Sequence, residues 1–141
     1  MLFSVIDEFE ADTASSKLNA LEFPKNDSLL QTVLQCIETH LSDDFFGVVM
    51  LCKEIAISER QLQRKLKAIT NKSPIKLISS VRMHRSKELI LVGDKNIAEI
   101  AYQTGFSNPS YFSKSFKKEF GISPSSLIQK NVFQRPFFIS I

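Results

Sequence analysis

The chain lacks several features that mark common classes of protein. It has no tryptophan, only two cysteines and only four glycines among its 141 residues. The separated Cys36 and Cys52 offer neither a disulfide framework nor metal-ligand spacing. No apolar run approaches the ~20 residues that span a bilayer, and no basic segment of a signal peptide precedes the first apolar residues. We therefore expect a cytoplasmic protein with no membrane partner, no bound metal and no cofactor.

Positive charge is concentrated in one part of the chain. Residues 1–57 carry 3 Lys/Arg and 10 Asp/Glu, a net charge of −7, whereas residues 58–130 carry 14 Lys/Arg and 5 Asp/Glu, a net charge of +9. A basic segment favours polyanions, because each neutralised phosphate releases condensed counterions. Charge alone also fits a solvated surface, so it indicates a polyanionic partner only together with a binding element.

The basic part contains an internal repeat at an offset of 50 residues. Residues 58–79 read SERQLQRKLKAITNKSPIKLIS, and residues 108–129 read NPSYFSKSFKKEFGISPSSLIQ. Both copies place apolar side chains at helical spacing and basic side chains between them. The identical pairs are Lys67 and Lys117, Ser73 and Ser123, Pro74 and Pro124, Leu77 and Leu127, and Ile78 and Ile128. The repeat indicates two copies of one binding element.

Apolar spacing and capping signals predict an all-α fold with about seven helices. The first two helices are expected over residues 29–41 and 48–55, and a third begins after Ser58 and ends before Asn71. Ser58 and Gln61 fit a capping box, in which the hydroxyl and the amide each satisfy a free backbone N–H.

A long fourth helix is expected to join the two repeats. Ser73 and Pro74 provide a cap and a first-turn proline, and the helix runs to about Val92, roughly 18 residues or about 27 Å. The same start signals recur before three further helices, at Asn96, Asn108 and Ser123.

These helices define the predicted organisation of the chain. Residues 1–27 are interpreted as a linker or the end of an upstream region, and residues 28–72 as a first helix-turn-helix subdomain. Residues 73–93 form the linker helix, and residues 94–130 form the second helix-turn-helix subdomain. Residues 131–141 form an apolar tail of unassigned structure.

In a helix-turn-helix unit the second helix presents its outward face to the major groove. In the first unit that face carries Arg60, Gln63, Arg64 and Lys67. Arginine can donate a forked pair of hydrogen bonds to guanine, and glutamine can pair with adenine. These four residues are therefore candidate DNA contacts, with the basic ones also suited to phosphates.

In the second unit the outward face carries Ser110, Ser113, Lys114 and Lys117. These side chains are shorter or less directional, so we expect the first unit to read bases more strongly. A helix of about 27 Å between the two units can set them near the ~34 Å repeat of B-DNA, which would let both enter successive major grooves.

The motifs carry a family resemblance. Residues 97–124, IAEIAYQTGFSNPSYFSKSFKKEFGISP, resemble the signature of the AraC/XylS family of bacterial transcription regulators. Residues 51–67 resemble that family's first helix-turn-helix, and Arg82 and Arg85 lie on a stretch similar to its linker helix. The resemblance covers about residues 29–129. The sequence of this region also resembles the output domains of two-component and hybrid sensor regulators.

The resemblance implies a function and a set of contacts. It implies promoter DNA as partner, with RNA polymerase as a further candidate, and activation of transcription; an effector or sensor domain would lie outside this chain. Pro109 falls on a base-contacting position of the family but has no donor to offer. Ala56 stands where a turn glycine is common, Cys52 where alanine is usual, and Asn71 where the second unit has Gly121.

Two other functions stay open at this point. The scaffold could bind a protein, an alternative favoured by the apolar tail, or it could bind nucleic acid without sequence preference, because the serine-rich second face is poor in donors. An enzyme is not expected, because the sequence shows no nucleophile–base pair, phosphate loop or paired carboxylates.

Several other residues are expected to be structural. Phe112, Phe116 and Phe120 are predicted to be core, and Cys36 and Cys52 to be small buried hydrophobes. His40 and His84 lack ligand spacing. Arg82 and Arg85 are assigned to helix salt bridges or phosphates.

Overall fold

The computed structural model describes residues 27–134, and within this range the chain is all α-helical, as predicted. No helix in that range is long and apolar enough to cross a membrane. The described residues form seven helices, which are α1 (Ser28–Thr39), α2 (Val48–Ile55), α3 (Glu59–Thr70), α4 (Pro74–Val92), α5 (Ile97–Gln103), α6 (Pro109–Phe120) and α7 (Pro124–Gln134).

The predicted capping residues begin the helices. Ser58 Oγ accepts a hydrogen bond from the Gln61 N–H at 3.1 Å, and Asn108 caps α6 through the Ser110 N–H at 2.8 Å. The reciprocal capping box forms at α5, between Asn96 and Glu99. At α3 the prediction was half right, because the Gln61 side-chain oxygen instead accepts from the Ser58 hydroxyl at 3.4 Å.

Two helix ends differ from the prediction. α1 ends at Thr39 rather than at residue 41, because His40 leaves helical geometry with φ −107° and ψ 22°. α7 continues to Gln134 and so includes the first residues of the predicted apolar tail. The rest of that tail and the predicted linker over residues 1–26 lie outside the described residues.

The described chain divides into two compact units. Residues 27–40 and 46–81 belong to the first, and residues 41–45 and 82–134 to the second. α4 contributes to both: its part up to residue 81 belongs to the first unit, and its part from residue 82 to the second.

The first unit has a mostly aliphatic core, with Phe46 as its buried aromatic residue. Its largest fully buried side chains come from four helices, so α1, α2, α3 and the start of α4 each turn one apolar face inward. They are Leu30, Leu34, Ile37, Leu51, Leu62, Leu66 and Leu77.

The second unit has an aromatic core. Phe112 and Phe116 are fully buried, with ring centroids 5.7 Å apart, and Phe120 packs 4.7 Å from Phe116. Met83, Ile90, Ile100, Ala101 and Phe106 complete the cluster. The prediction that the phenylalanines of α6 are core is confirmed for Phe112 and Phe116, whereas Phe120 is partly buried and packs against the cluster.

Candidate nucleic-acid interface

The first candidate surface is the outer face of α3. Arg60, Gln63, Arg64 and Lys67 are all exposed there, and their spacings of three and four residues place them along one side of the helix over about two turns. Leu62 and Leu66, both fully buried, anchor the opposite side of the helix. The helix therefore presents a fixed stripe of hydrogen-bond donors to solvent.

The second candidate surface is the outer face of α6. Ser110, Lys114 and Lys117 are exposed, whereas Ser113 is half-buried and so less available than the other three. Pro109 occupies the first turn of the helix. The structure brings the four predicted residues of each unit onto one helix, and their contact with DNA stays a prediction.

The turn of the first unit places Ala56 in the left-handed region, with φ 57° and ψ 49°. The Ile57 N–H donates to the Cys52 carbonyl at 3.2 Å, and the Ala56 N–H donates to the Lys53 carbonyl at 3.4 Å. This pair of bonds is a Schellman motif, whose left-handed residue is usually glycine. The alanine therefore adopts a conformation that is strained for any residue with a Cβ.

The turn of the second unit uses the same motif with a glycine. The Phe106 N–H donates to the Ala101 carbonyl at 2.9 Å, and the Gly105 N–H donates to the Tyr102 carbonyl at 3.2 Å. Gly105 has φ 90°. A Cβ built there would lie 2.6 Å from Arg82 Cζ and 2.7 Å from the Leu41 carbonyl oxygen, so the site has no room for a side chain.

Arg82 supports this second turn from inside the protein. It is 9% exposed and donates from Nη1 to the Gly105 carbonyl at 2.9 Å and from Nη2 to the Asp43 carbonyl at 3.0 Å. Burial lowers the pKa of its guanidinium, and Asp43 and Asp44 oppose that shift. Arg82, predicted to serve a helix salt bridge or a phosphate contact, thus also holds two backbone carbonyl groups, a role that the sequence did not indicate. Arg85 does form the predicted helix salt bridge, to Glu88 at 3.0 Å.

A cluster that the sequence analysis missed lies between α1 and α2. The ligand atoms of Cys36, His40 and Glu54 all lie within 4.8 Å of one another. Burial, and secondarily Glu54, raise the pKa of the Cys36 thiol. The sequence analysis gave His40 no ligand spacing, whereas the structure places Cys36 and Glu54 beside it. The four-residue spacing of Cys36 and His40 on one helix was the available signal, and only the fold brings Glu54 to them.

The two cysteines are also less buried than predicted. Cys36 and Cys52 are both half-buried rather than fully enclosed. Burial, and secondarily Glu59, raise the pKa of the Cys52 thiol. Both thiols therefore favour the protonated form more than a free cysteine does.

Comparisons with known proteins place this architecture among characterised ones. The sequence profile of a helix-turn-helix domain family matches residues 51–130. The chain is 29% identical over 104 residues to the HTH-type transcriptional activator RhaS of Salmonella arizonae, covering 74% of this chain and 37% of RhaS. It is 35% identical over 100 residues to histidine kinase P4 of Formosa agariphila, covering 71% of this chain and 7% of that protein.

A solved structure shares the fold. The DNA-binding domain of AdpA, determined in complex with a target DNA, superposes with a TM-score of 0.70 and is 25% identical, covering 79% of this chain and 99% of that domain. The chain thus spans nearly all of this isolated domain but less than half the length of the two curated relatives.

Proposed function

This chain belongs to the AraC/XylS family of DNA-binding transcription regulators, and we propose that α3 and α6 are its two recognition helices. Each is the second helix of a helix-turn-helix unit, the position that enters the major groove. Double-stranded promoter DNA is the partner in this proposal.

The observation that carries this proposal is the donor stripe on α3. Arg60, Gln63 and Arg64 are exposed, while Leu62 and Leu66 on the opposite side are fully buried. A braced helix places its outward side chains reproducibly, which specific hydrogen bonding to base edges requires. We assign base reading to these three residues, and phosphate contact to Lys67.

The face of α6 supports a different role. Lys114 and Lys117 are exposed cations, and Ser110 offers a single hydroxyl. Such a face suits phosphate contact better than bidentate base recognition. In this proposal α3 reads sequence, while α6, with Ser113 at its margin, holds the second half-site.

Two recognition helices in one polypeptide can occupy successive major grooves without a second protein chain. We propose this mode of binding and activation from the bound site, in the bacterial cytoplasm, with RNA polymerase as the next partner. The proposal places the effector or sensor that governs binding outside residues 27–134.

A selection from a random duplex library at near-physiological salt, followed by sequencing, tests the proposal. The expected result is an enriched motif with a strong half-site read by α3 and a weaker one about one helical turn, ~34 Å, away at α6. Enrichment of only one half-site would mean that α6 contacts the DNA backbone and does not read bases. Retention without any motif would contradict base reading, and no retention would favour a protein partner.

Matched variants assign the enriched motif to a helix. Repeating the selection with Arg64→Ala should relax the motif at a position in one half-site. Lys76→Ala is the control, because Lys76 is also a positively charged, exposed residue but lies on α4. An altered motif with the control and not with Arg64→Ala would exclude α3 as the reading helix.

A further inference from the structure

We propose that Cys36, His40 and Glu54 form a binding site for a zinc-class divalent cation in the first unit, separate from the DNA-binding faces. The three residues supply a thiol, an imidazole and a carboxylate, a combination of ligands that zinc binds.

Two of the ligands come from the C-terminal end of α1: Cys36 lies in its last turn, and His40 is its C-cap residue. Cys36 and His40 are four residues apart, so their side chains lie on the same face of the helix. The His40 N–H donates to the Cys36 carbonyl at 3.2 Å, which keeps the two backbones in helical register although α1 itself ends at Thr39. This spacing is set locally and does not depend on a ligand.

The third ligand comes from α2. Glu54 Oε1 lies 3.8 Å from His40 Nε2, and every pair of ligand atoms in the group lies within 4.8 Å. A tetrahedral zinc ion, with bonds of about 2.0–2.3 Å, separates its ligands by roughly 3.3–3.6 Å. The three side chains therefore need to close by only about 1 Å, a movement that rotation about side-chain bonds provides.

The imidazole is already oriented. The rings of His40 and Phe46 stack with centroids 4.8 Å apart and an interplanar angle of 6°. The His40 side chain is 24% exposed, so one part of the ring is packed while Nε2 stays within reach of Glu54. An oriented imidazole loses less side-chain entropy when it binds a cation.

The three ligands line a groove of about 420 Å³. Gln31, Gln35 and Thr39 contribute polar atoms to its wall, and Ile55 contributes an apolar one. Three protein ligands leave the fourth tetrahedral position for water or an external group, and the groove provides space for either.

The donor set favours one class of cation. Mg²⁺ and Ca²⁺ prefer all-oxygen sites, whereas a thiolate and an imidazole select zinc and related transition metals. Because the ligands come from α1 and α2, a bound cation would join these two helices. It would then raise the stability of the first unit by mass action, since the unfolded chain does not present the same site.

Cobalt(II) is the probe for this site. The tag-free 141-residue chain, reduced and stripped of metal with a chelator, is titrated with Co²⁺ and followed by absorption. We expect about one Co²⁺ per chain with a tetrahedral visible spectrum and a thiolate-to-cobalt charge-transfer band, and displacement of both by Zn²⁺.

Four variants identify the ligands. Cys36→Ser should abolish the charge-transfer band, and His40→Gln or Glu54→Gln should weaken Co²⁺ binding about 100-fold. Cys52→Ser is the matched control, since Cys52 is also half-buried but lies outside the cluster, and it should leave the spectrum unchanged. Circular dichroism verifies that each variant is folded. Because Glu54 is half exposed, Glu54→Gln should fold, and it tests the site even if the Cys36 and His40 variants do not fold.

Three results would overturn the proposal. One is no charge-transfer band in the folded wild-type chain. Another is a band that survives Cys36→Ser or disappears with Cys52→Ser. The third is undiminished Co²⁺ affinity in Glu54→Gln. None of these results bears on DNA binding, which is measured separately by the duplex selection.

Discussion

α2 and α5 are the first helices of the two helix-turn-helix units, and both end in the same pair of backbone hydrogen bonds. A different residue occupies the left-handed position after each helix. In the first unit it is Ala56, and in the second it is Gly105. The second turn excludes a side chain, because Arg82 and the Leu41 carbonyl fill the space. The comparison teaches that backbone hydrogen bonds set the turn, while the packing around it decides which residue the turn tolerates.

The recognition helices differ in a similar way. α3 packs with leucines and presents arginine and glutamine, whereas α6 packs with phenylalanines and presents serine and lysine. Both use a left-handed residue to end, Asn71 in α3 and Gly121 in α6. The two units therefore share one backbone arrangement but differ in their core residues and in their exposed side chains. This difference is why we assign different roles to the two helices.

The largest expected effect comes from Gly105→Ala. The new Cβ would meet Arg82 and the Leu41 carbonyl at a positive φ, so we expect the free energy of unfolding to fall by about 2–4 kcal/mol. Urea denaturation measures this change. Gly121→Ala is the control, since it has φ 77° but nothing within 4 Å, and it should cost only about 1–2 kcal/mol. Equal losses at the two sites would show that Arg82 does not restrict the second turn.

A second change separates the two recognition faces. Arg64→Ala should cost about 1–3 kcal/mol of binding free energy on the selected site and relax base preference there. Lys114→Ala should cost less and leave base preference unchanged, because a lysine on phosphate carries no sequence information. Fluorescence anisotropy on selected and scrambled duplexes measures both variants. An equal loss for Arg64→Ala on the two duplexes would remove its role as a base reader.

Lys117→Ala tests the phosphate role of α6. We expect weaker binding on every duplex and a salt dependence of log K that is shallower by about one unit, since one fewer counterion is released. Affinities measured across a range of salt concentrations give the slope. A slope equal to that of the wild-type chain would show that Lys117 does not contact phosphate.

The smallest expected effect is an increase in stability. Ala56→Gly should raise the free energy of unfolding by about 0.5–1 kcal/mol, because relief of the left-handed strain exceeds the extra entropy of the unfolded glycine. Asn71→Gly should gain less, since asparagine tolerates this region better than alanine. Thermal unfolding compares the two. A loss of stability in Ala56→Gly would mean that the alanine methyl group contributes packing that outweighs its strain.

Helix starts and helix faces were predictable because they depend on neighbours three or four residues away. Asn96 caps α5 through Glu99, as its sequence position indicated. Seven of the eight candidate DNA contacts are exposed on the outer faces of α3 and α6, and Ser113 is half-buried beside them, because a 3.6-residue period fixes which side chains oppose the buried ones. Their pairing with bases and phosphates stays a prediction.

The end of α1 was less predictable than its start. Leu41 continues the apolar period and is buried, at 9% exposure, yet the helix stops at Thr39. Leu41 and the following loop residues belong to the second unit, whereas His40 belongs to the first. Apolar periodicity in the sequence predicts that a side chain is buried. It does not predict which part of the structure buries that side chain.

Within residues 27–134, the sequence by itself determined the number of helices, the residues that cap most of their starts and the faces they expose, because these follow from interactions within one helical turn. Tertiary structure decided the role of Arg82, whose two carbonyl partners lie 23 and 39 positions away in the chain. It also decided that Glu54 meets Cys36 and His40. Contacts between distant positions depend on how helices pack against one another, and no local pattern of residue types specifies that packing.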